Sequence, residues 1–495
     1  MIAGRIHSII LGITLLSYTT SCRTLVEIAD PPSVTKRVSI TAAYFKDMDT
    51  SFSVTKGDTI QLVASAPDEI PADPSISGLS LSNKDDSLGR GASIERTSTG
   101  ISLILGDDPR LKIGGIFGAS DKFGFSPSGI SAGTNTVDIQ DERITTIAAA
   151  FDAEYRSKKT TISDWASLGE GFNYYYLSNY LEGLISIFEA TGNETYLQDL
   201  MQYADEMLAD AKDLNGDGYL DYHTYYESDG KIILNKPDVQ LYDWRGFRPI
   251  ARLMRVLGAD SSLKAKYATS YQRYSDFVRK HLVEKWSDKY SNKVLALPMY
   301  YEKEGLIHRV AHMGDILVDF YLADSSLMGL EGLSSVASGV KAQLRTGKND
   351  SYEWNILYKD NAAIIRDYSS ISGVSDVSHA SGTVSFIVAE AVQTQLVFNA
   401  SDLDKLVNTL LLIIRDETAT DTQKWLRDFV DGGVSTVKPY SYGLVNLADG
   451  WIKLGVYNSD VQRLMDLLFS KGKTGSYRLQ YLGNLAKNYQ YARWY

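Results

Sequence analysis

FNYYYLSNYLEGLISIFEAT, residues 172–191, has the clearest helical pattern of the chain. Its apolar residues recur at helical spacing and fall on one stripe, which comprises Leu177, Leu181, Leu184, Ile185 and Phe188. Gly192 follows as a stop signal, and Asn193 is a suitable cap for a second helix that starts with the letters ETYLQDL. The stretch therefore predicts an amphipathic helix that is joined by a tight turn to a partner helix.

The same helical hairpin pattern recurs along the rest of the chain. The predicted pairs are 249–257 with 262–284, 308–324 with 327–345, 379–398 with 401–416, and 441–455 with 458–471, before a last helix near 476–490. Their spacing is irregular and the connections are long, unlike those of a regular solenoid. Six or seven hairpins with long loops on one side predict an (α/α) toroid over residues 141–495. We expect its site in the cup that is lined by loops and inner-helix ends.

Residues 37–140 have a different pattern, because short β-branched runs such as RVSITAAYF and GISLILG replace the helical stripes. Clusters of Gly, Ser, Asp and Pro separate these runs, as is typical of strands joined by turns. The segment predicts a small β-sandwich-like domain ahead of the toroid.

The N-terminus has the features of an export signal. Arg5 precedes an apolar run, residues 9–16, which is too short to span a membrane, and small polar residues then lead to Cys22. We expect residues 1–21 to be a lipoprotein signal peptide, Cys22 to carry the lipid, and residues 22–36 to form a tether. The predicted location is a bacterial outer membrane, on its periplasmic or outer face, with a periplasmic or secreted protein as the alternative.

The overall composition excludes some classes of partner. The chain has 50 basic and 61 acidic residues and a net charge of −11, whereas nucleic-acid binding needs a basic surface. We therefore expect no nucleic-acid partner, and contact with a membrane only through the lipid anchor. The 32 tyrosines combine a flat apolar face with a polar tip, which suits stacking on sugar rings.

His379 is the leading candidate for a catalytic base. It follows Asp376 and Ser378, two good helix caps, at the start of a predicted helix. A helix N-terminus disfavours the imidazolium ion, so the ring stays neutral, and Asp376 could orient it. A structural cap for the loop is the alternative role of His379.

His308 and His312 form a second candidate group, since residues four apart share a helix face. With Asp315 or Asp319 the two histidines could hold a metal ion. The zinc-protease pattern has Glu after the first histidine, whereas this chain has Arg309. A single functional histidine at His312 and a pair of partly buried histidines are the alternatives.

Two further segments carry residues that could bind or protonate a ligand. YEWNILY, residues 352–358, brings together Trp354, Asn355 and Tyr358, which are an aromatic platform, an amide and a phenol. In 240–255 we expect Arg245 and Arg248 in a loop before Pro249, a favoured first helical residue, and arginine there could clamp a carboxylate. LPMYYEKEG, residues 297–305, adds the phenols of Tyr300 and Tyr301.

DLNGDGYLDY, residues 213–222, has the alternating oxygen donors of a calcium loop. The predicted ligands are Asp213, Asn215, Asp217 and Asp221, with Gly218 for the tight turn. The glutamate that closes an EF-hand is replaced by Thr224, so a structural calcium ion and a plain acidic turn both remain open.

Three segments together resemble a known family: WASLGEGFNYYYLSNYLEGLISIFEATGNETYL (165–197), YEWN (352–355) and DVSHASGTVSFIVAEAVQTQLVFNASDLDKLVNTLL (376–411). They look like toroid proteins of Bacteroidetes polysaccharide-utilisation systems that are related to (α/α)-barrel polysaccharide lyases, including alginate and glucuronan lyases. The resemblance covers about residues 145–450.

The resemblance implies cleavage of a uronic-acid glycan by β-elimination, with no required cofactor. It implies that Asn355 or Arg245 neutralises the carboxylate, and that His379 or His312 lies near it or acts as base. A tyrosine among Tyr300, Tyr301 and Tyr358 then acts as base or acid, while Arg248, Trp354 and Asp376 help to hold an acidic polysaccharide.

Two alternatives remain open on the sequence. An inverting glycoside hydrolase on the same toroid needs two opposed carboxylates, for which the candidates are Asp164, Glu170, Asp243 and Asp376. A non-catalytic, surface-tethered glycan-binding lipoprotein is the third interpretation.

Overall fold

The computed structural model describes residues 39–70, 72, 74, 79–81, 87–111, 113, 122–125, 137–228, 231–236, 240–289, 305–325, 327–357, 363–369 and 373–492. Cys22, Tyr300, Tyr301 and Tyr358 lie outside the described residues, as do the whole predicted signal peptide and the whole predicted tether. The described chain is mainly helical, with a small mixed β-sheet at its N-terminal side.

The sheet has seven strands: five lie in the order β4-β5-β2-β1-β7, and β6 and then β3 extend it beyond β7. Strand β1 pairs in parallel with β7, while all the other pairs are antiparallel. The strand bounds are β1 (Ile40–Lys46), β2 (Thr59–Ala64), β3 (Leu79–Leu81), β4 (Ser93–Arg96), β5 (Gly100–Ile104), β6 (Lys122–Phe125) and β7 (Val137–Asp141).

One face of this sheet is buried, because alternate residues such as Phe45, Ile60, Leu62, Ile101 and Leu103 point into a common core. The sequence predicted a sandwich of two sheets, and the strands described for this segment join a single sheet instead. Alternation of apolar residues indicates that a strand has one buried face, but it does not indicate which strands are neighbours.

Thirteen helices make up most of the remaining described residues. The first seven are α1 (Glu142–Ala166), α2 (Gly171–Thr191), α3 (Glu194–Ala209), α4 (Gln240–Ala259), α5 (Ser261–Lys266), α6 (Ala268–Phe277) and α7 (Lys285–Lys289). The other six are α8 (Ile307–Ala323), α9 (Leu327–Gln343), α10 (Val377–Gln393), α11 (Ala400–Asn408), α12 (Ser459–Ser470) and α13 (Arg478–Gln490).

Shorter elements connect the helices. Two π-helical turns, Val278–Glu284 and Thr409–Ile414, continue α6 and α11, and a 3-10 helix covers Trp451–Val456. Two small hairpins pair β8 (Thr224–Ser228) with β9 (Lys231–Lys236) and β10 (Arg345–Thr346) with β11 (Tyr352–Glu353).

The hairpin that was read from residues 172–191 forms as the sequence predicts. Glu170 caps α2 by accepting hydrogen bonds from the backbone of Phe172 and Asn173 at 3.0 Å. Gly192 ends the helix in the left-handed conformation, with φ of 65°, and Asn193 caps α3. The turn residues thus fix where both helices begin and end.

Helix α4 departs from the prediction, because it begins at Gln240 and includes Pro249 in its interior. The residue before a proline usually leaves the helical conformation, which favoured a start at Pro249. The observed helix continues through it, although Pro249 has no N–H to donate to the carbonyl of Arg245. Arg245 and Arg248 therefore lie on a helix and not in a loop.

Six elements pack against one another in a closed series of contacts. Helix α2 contacts α4, α4 contacts α8, α8 contacts α10, and α10 contacts the 3-10 helix Trp451–Val456. That 3-10 helix contacts α13, which packs back against α2. The α2–α13 contact is very close, because a Cβ atom placed on Gly483 would lie 2.5 Å from the carbonyl oxygen of Gly183.

Side-chain contacts between these helices show that five of them run in the same direction. Between α2 and α4, Asn179 meets Arg245 and Glu182 meets Arg248, so both helices advance together. Helices α4 and α8 also advance together, as the pairs Arg248–His312 and Arg255–Asp319 show. The pairs His312–Gly382 and Asp315–Ser385 show the same for α8 and α10. The pairs Ser186–Asn484 and Glu189–Lys487 show it for α2 and α13. Their N-termini consequently lie at one end of the helical body.

Across the described residues, no helix combines the length and the apolar character that crossing a membrane requires.

Candidate functional site

The shared N-terminal end of α2, α4, α8, α10 and α13 is the most distinctive surface of the helical part. Each helix N-terminus carries a partial positive charge, so an end where several of them meet favours a negatively charged ligand. The three histidines His308, His312 and His379 lie towards this end: His308 and His379 are in the first turns of α8 and α10, and His312 is in the second turn of α8. We refer to them as the histidine cluster.

His379 is the member of the cluster that reaches solvent, with 36% of its side chain exposed. Asp376, which is buried, accepts a hydrogen bond from His379 Nδ1 at 2.6 Å. The same carboxylate caps α10 by accepting the backbone N–H of His379 at 3.0 Å. With Nδ1 donating to Asp376, the Nε2 atom is left as the acceptor of the neutral ring, which is the form that a general base requires.

His308 lies directly beside His379, and their ring centroids are 4.8 Å apart. His308 is only 5% exposed, and its buried Nδ1 atom has no hydrogen-bond partner. Burial lowers the pKa of His308 well below its usual value, and the charges of His379, His312 and Arg309 lower it further. The His308 ring is therefore neutral, and it lies in the protein interior beside His379.

His312 is fully buried, and its predicted catalytic role stays a prediction. Its two ring nitrogens lie 3.3 Å from Arg245 and 3.1 Å from Arg248. Burial and these two guanidinium groups hold the pKa of His312 well below its usual range. His312 is therefore the innermost member of the histidine cluster, and it contacts both arginines.

Arg245 connects the cluster to an aromatic surface. Its guanidinium donates to Asn179 at 2.8 Å and lies over the ring of Tyr175, with 4.6 Å from Cζ to the ring centroid. The ring of Tyr477 lies 6.0 Å away on the same group. Arg245 is 4% exposed, and its Nε atom has no hydrogen-bond partner. Arg245 thus lies beneath the surface. There its positive charge acts at a distance, and its guanidinium is not exposed to form paired hydrogen bonds with a ligand carboxylate.

Arg248 belongs to a buried ion network, and its predicted role in substrate binding stays a prediction. It pairs with Glu182 at 3.0 Å, with Asp315 at 3.0 Å and with Asp449 at 2.5 Å. All four side chains are buried. The guanidinium group of Arg248 is therefore occupied by these three acids.

Asn355 and Trp354 also have structural roles, in contrast to the prediction. The Asn355 amide donates to the carbonyl of Ala363 and accepts from the backbone of Ile365, both at 2.9 Å, so it ties two loop segments together. Trp354 is fully buried, with its ring centroid 6.5 Å from that of Trp451. Neither side chain presents a free surface to a sugar.

The predicted calcium loop is held by contacts within the protein. Asp213 accepts three backbone N–H groups, those of Gly216, Asp217 and Gly218. Asp221 is paired with the buried ammonium group of Lys285, so it is the counter-ion of a lysine and not a calcium ligand. For Asp213, Asn215 and Asp217, calcium binding stays a prediction.

Two features of this end of the helices were not singled out from the sequence. Six half-buried aromatic rings pack edge to face or tilted against one another, at centroid distances of 5.0–6.4 Å, and one of them, Tyr175, contacts Arg245. They are Trp165, Phe172, Tyr175, Tyr176, Tyr180 and Tyr242. The second is Arg309, which follows His308 and has neither an ion pair nor a hydrogen bond from its buried Nε atom. The sequence signals that could have revealed these two features are the FNYYY run and the position of Arg309 in a predicted helix.

At the opposite end of the same helices is a cavity of about 640 Å³. Arg252, Arg255, Glu189, Asp319 and Lys487 form ion pairs along its wall. Cations are stabilised there by the C-terminal ends of the helices. Its wall combines these ion pairs with apolar side chains such as Val256, Val318 and Val388, which distinguishes the cavity from the histidine cluster.

Comparison with known proteins places the chain in no family, since it matches no protein-family model and no curated protein.

Proposed function

We propose that the protein is an exported, lipid-anchored polysaccharide lyase that cleaves an acidic, uronate-containing glycan by β-elimination. The single observation that carries the proposal is the Asp376–His379 pair, a partly exposed imidazole that is oriented by a buried carboxylate at an end where helix N-termini meet. This arrangement combines a base with a field that attracts a carboxylate substrate.

The proposal includes an (α/α) toroid for the helical part. Its support is the closed series of contacts among α2, α4, α8, α10, the 3-10 helix and α13, together with the common direction of the five helices. In a toroid, that ring would form the inner wall, and α1, α3, α6, α9, α11 and α12 would lie outside it. The histidine cluster would then line the mouth of the cup.

In the proposed reaction, the positive end of the helices stabilises the uronate carboxylate and acidifies its C5 proton. His379 Nε2 takes that proton, the electron pair forms the C4–C5 double bond, and the C4–O4 bond breaks. A tyrosine hydroxyl protonates the leaving oxygen. Tyr175 is the candidate donor, because its half-buried ring is held under the Arg245 guanidinium at the same end.

The structural roles of four carboxylates weigh against the hydrolase alternative. Glu170 caps α2, Asp243 pairs with Lys285 at 2.8 Å, and Asp376 is bound to His379. Asp164 lies exposed on α1, whose contacts are to α2, α3, α13 and the sheet. An inverting hydrolase needs two carboxylates that face one sugar, and these four have other positions or partners.

The experiment that tests the proposal is incubation with alginate, glucuronan and hyaluronan, followed by ultraviolet absorbance of the products. Elimination creates a conjugated double bond, so products of a lyase absorb. Shortened chains without that absorbance would support the hydrolase instead. Retention of a polymer in an affinity gel without any product would support a glycan-binding protein.

A further inference from the structure

The cavity at the C-terminal end of the helices has no part in the proposed reaction. Its wall takes residues from α2, α4, α8, α10, the 3-10 helix Trp451–Val456 and α13, which are the six elements of the closed series. It extends inwards as far as Glu182, Arg248 and Asp315, an ion-paired layer near the middle of three helices. A volume of about 640 Å³ is typical of small-molecule sites, so the cavity suits a small ligand and not a polymer.

The protein itself balances most of the charges along this wall. Arg252, Arg255 and Lys487 all pair with Glu189. Asp260, just beyond the end of α4, accepts a backbone N–H at 2.8 Å as the cap of α5. These side chains, like those of the ion-paired layer, are satisfied within the protein and do not require a ligand.

Lys453 is the cation of the wall that lacks an acidic partner. Among the described residues, no carboxylate lies within 4 Å of its ammonium group, whereas each of the other cations of the wall has at least one. The one hydrogen bond that the ammonium group makes within these residues is donated to Ser385 Oγ at 2.6 Å. An ammonium group has three N–H donors, so the half-buried Lys453 keeps two of them for a ligand in the cavity.

Valine side chains give the same cavity an apolar surface. Val256, Val318 and Val388 line it from α4, α8 and α10, and Val392 extends this surface one turn further along α10. Contact with water is unfavourable for these side chains, so an alkyl group that covers them is stabilised there.

The lysine and the valines together indicate the chemistry of the ligand. Lys453 favours an anionic head group, and the valines favour an apolar tail. The negative ends of the helices favour a cation only near the last turns, whereas Lys453 bonds to Ser385 near the middle of α10. A neutral or cationic molecule would leave the ammonium group of Lys453 without a counter-ion.

We infer that this cavity binds a small carboxylate with an apolar tail, which places its head group on Lys453 and its tail against the valines. The site lies at the end of the helices opposite to the histidine cluster, and the inference does not depend on the proposed lyase activity.

Calorimetry and the shift of the Tm measure the binding of butanoate, hexanoate and octanoate to the wild-type chain. We expect one bound molecule per chain and an affinity that rises about fourfold for each added methylene group, because each group buries further apolar surface. Octylamine has the same tail and the opposite charge, and inorganic phosphate has no tail. Neither is expected to compete with octanoate.

Three variants test the two parts of the site. Lys453→Met removes the charge, so octanoate is expected to bind about ten- to a hundredfold more weakly. Lys471→Met is the matched control, because Lys471 is exposed at the end of α12, and it is expected to bind octanoate as the wild-type chain does. Ala389→Met leaves Lys453 in place and adds bulk to the wall, so it is also expected to weaken binding.

The inference is overturned by an octanoate affinity that is unchanged in Lys453→Met, or by the absence of octanoate binding to the wild-type chain. Octylamine that competes with octanoate assigns the cavity to a cation, and phosphate that competes equally well removes the role of the valines, so either result contradicts the inference. Should Lys453→Met fail to fold, an unchanged affinity in Ala389→Met decides against the site. Absence of elimination by the wild-type chain rejects the lyase alone and leaves this inference standing.

Discussion

Asp376 has two functions that depend on different properties of one carboxylate. As the cap of α10 it accepts the backbone N–H of His379, which an amide oxygen can also do. As the partner of the imidazole it accepts from Nδ1, where its charge and acceptor-only character hold the ring in one tautomer. The two roles can therefore be separated by substitution.

Asp376→Asn is predicted to preserve the fold and to lower the elimination rate about 10²- to 10⁴-fold, since asparagine caps well but does not fix the tautomer. The measurements are the initial rate of ultraviolet absorbance and the Tm. A rate equal to that of the wild-type chain would remove His379 from catalysis. A large loss of Tm would mean that the charge of Asp376, which the asparagine lacks, is needed for the fold.

For individual residues, the sequence could predict side-chain contacts between residues that are close along the chain. Asp376 and His379 are three residues apart at a helix start, so their contact follows from local geometry. The burial of His312 does not, because it is produced by Arg245 and Arg248, which lie more than sixty residues earlier. Trp354 shows the same limit, since its burial depends on Trp451.

At the scale of the element, α4 is organised by a row of arginines. Arg245, Arg248, Arg252 and Arg255 are spaced three, four and three residues apart, which places them on one face of the helix. That face meets the acidic residues of α2 and α8, so α4 is held between them by charge pairs. The spacing was visible in the sequence, but the interpretation of Pro249 as a helix start concealed it.

Glu189 is the most connected acid of this network, with Arg252, Arg255 and Lys487 around it. Glu189→Gln leaves these buried cations without their shared counter-ion, so it is predicted to lower the free energy of unfolding by about 3–5 kcal/mol. Urea denaturation measures the change. Glu194→Gln, at an exposed pair with Lys266, is the control and is expected to change it little.

If both variants unfold at the same urea concentration as the wild-type chain, the buried network does not stabilise the helices as described. The Glu189 variant should leave the initial rate of elimination per folded molecule nearly unchanged, because its charge lies at the end opposite to the histidine cluster.

At the scale of the whole molecule, the buried acids predict how stability depends on pH. Burial alone would raise the pKa of Glu182, but Arg248 and Arg252 outweigh it and lower the pKa to about 2. Arg252 and Lys487 also lower the pKa of Glu189. Arg248 and Arg245 lower the pKa of Asp449. Burial raises the pKa of Asp315 to about 6, which acts in the opposite direction.

For an acid with a lowered folded pKa, the stabilising contribution is complete above the unfolded value and is lost as the pH falls. We therefore predict a loss of stability as the pH falls from about 4.5 towards 2, with a slope that is smaller in Glu182→Gln. Asp315 contributes an opposite slope between its ordinary value and about 6. Urea denaturation at a series of pH values measures both, and an unchanged slope in the variant contradicts the account.

The architecture of the whole molecule was predictable in outline only. Helical stripes and caps identify amphipathic helices, so the mainly helical fold follows from residues such as Gly192 and Asn193. The return of α13 onto α2 does not, because the close contact of Gly183 with Gly483 joins residues 300 positions apart. The single mixed sheet depends in the same way on the pairing of its first strand with its last.

The central claim is that the Asp376–His379 pair removes a proton from an acidic glycan, and one comparison tests it most directly. Wild-type protein and His379→Ala are incubated with alginate, glucuronan and hyaluronan, and the ultraviolet absorbance of the unsaturated product is followed. We expect the absorbance to rise for at least one polymer with the wild-type chain and to be lost in the variant, with the Tm unchanged. Equal absorbance from both proteins, or products that carry no double bond, would contradict it.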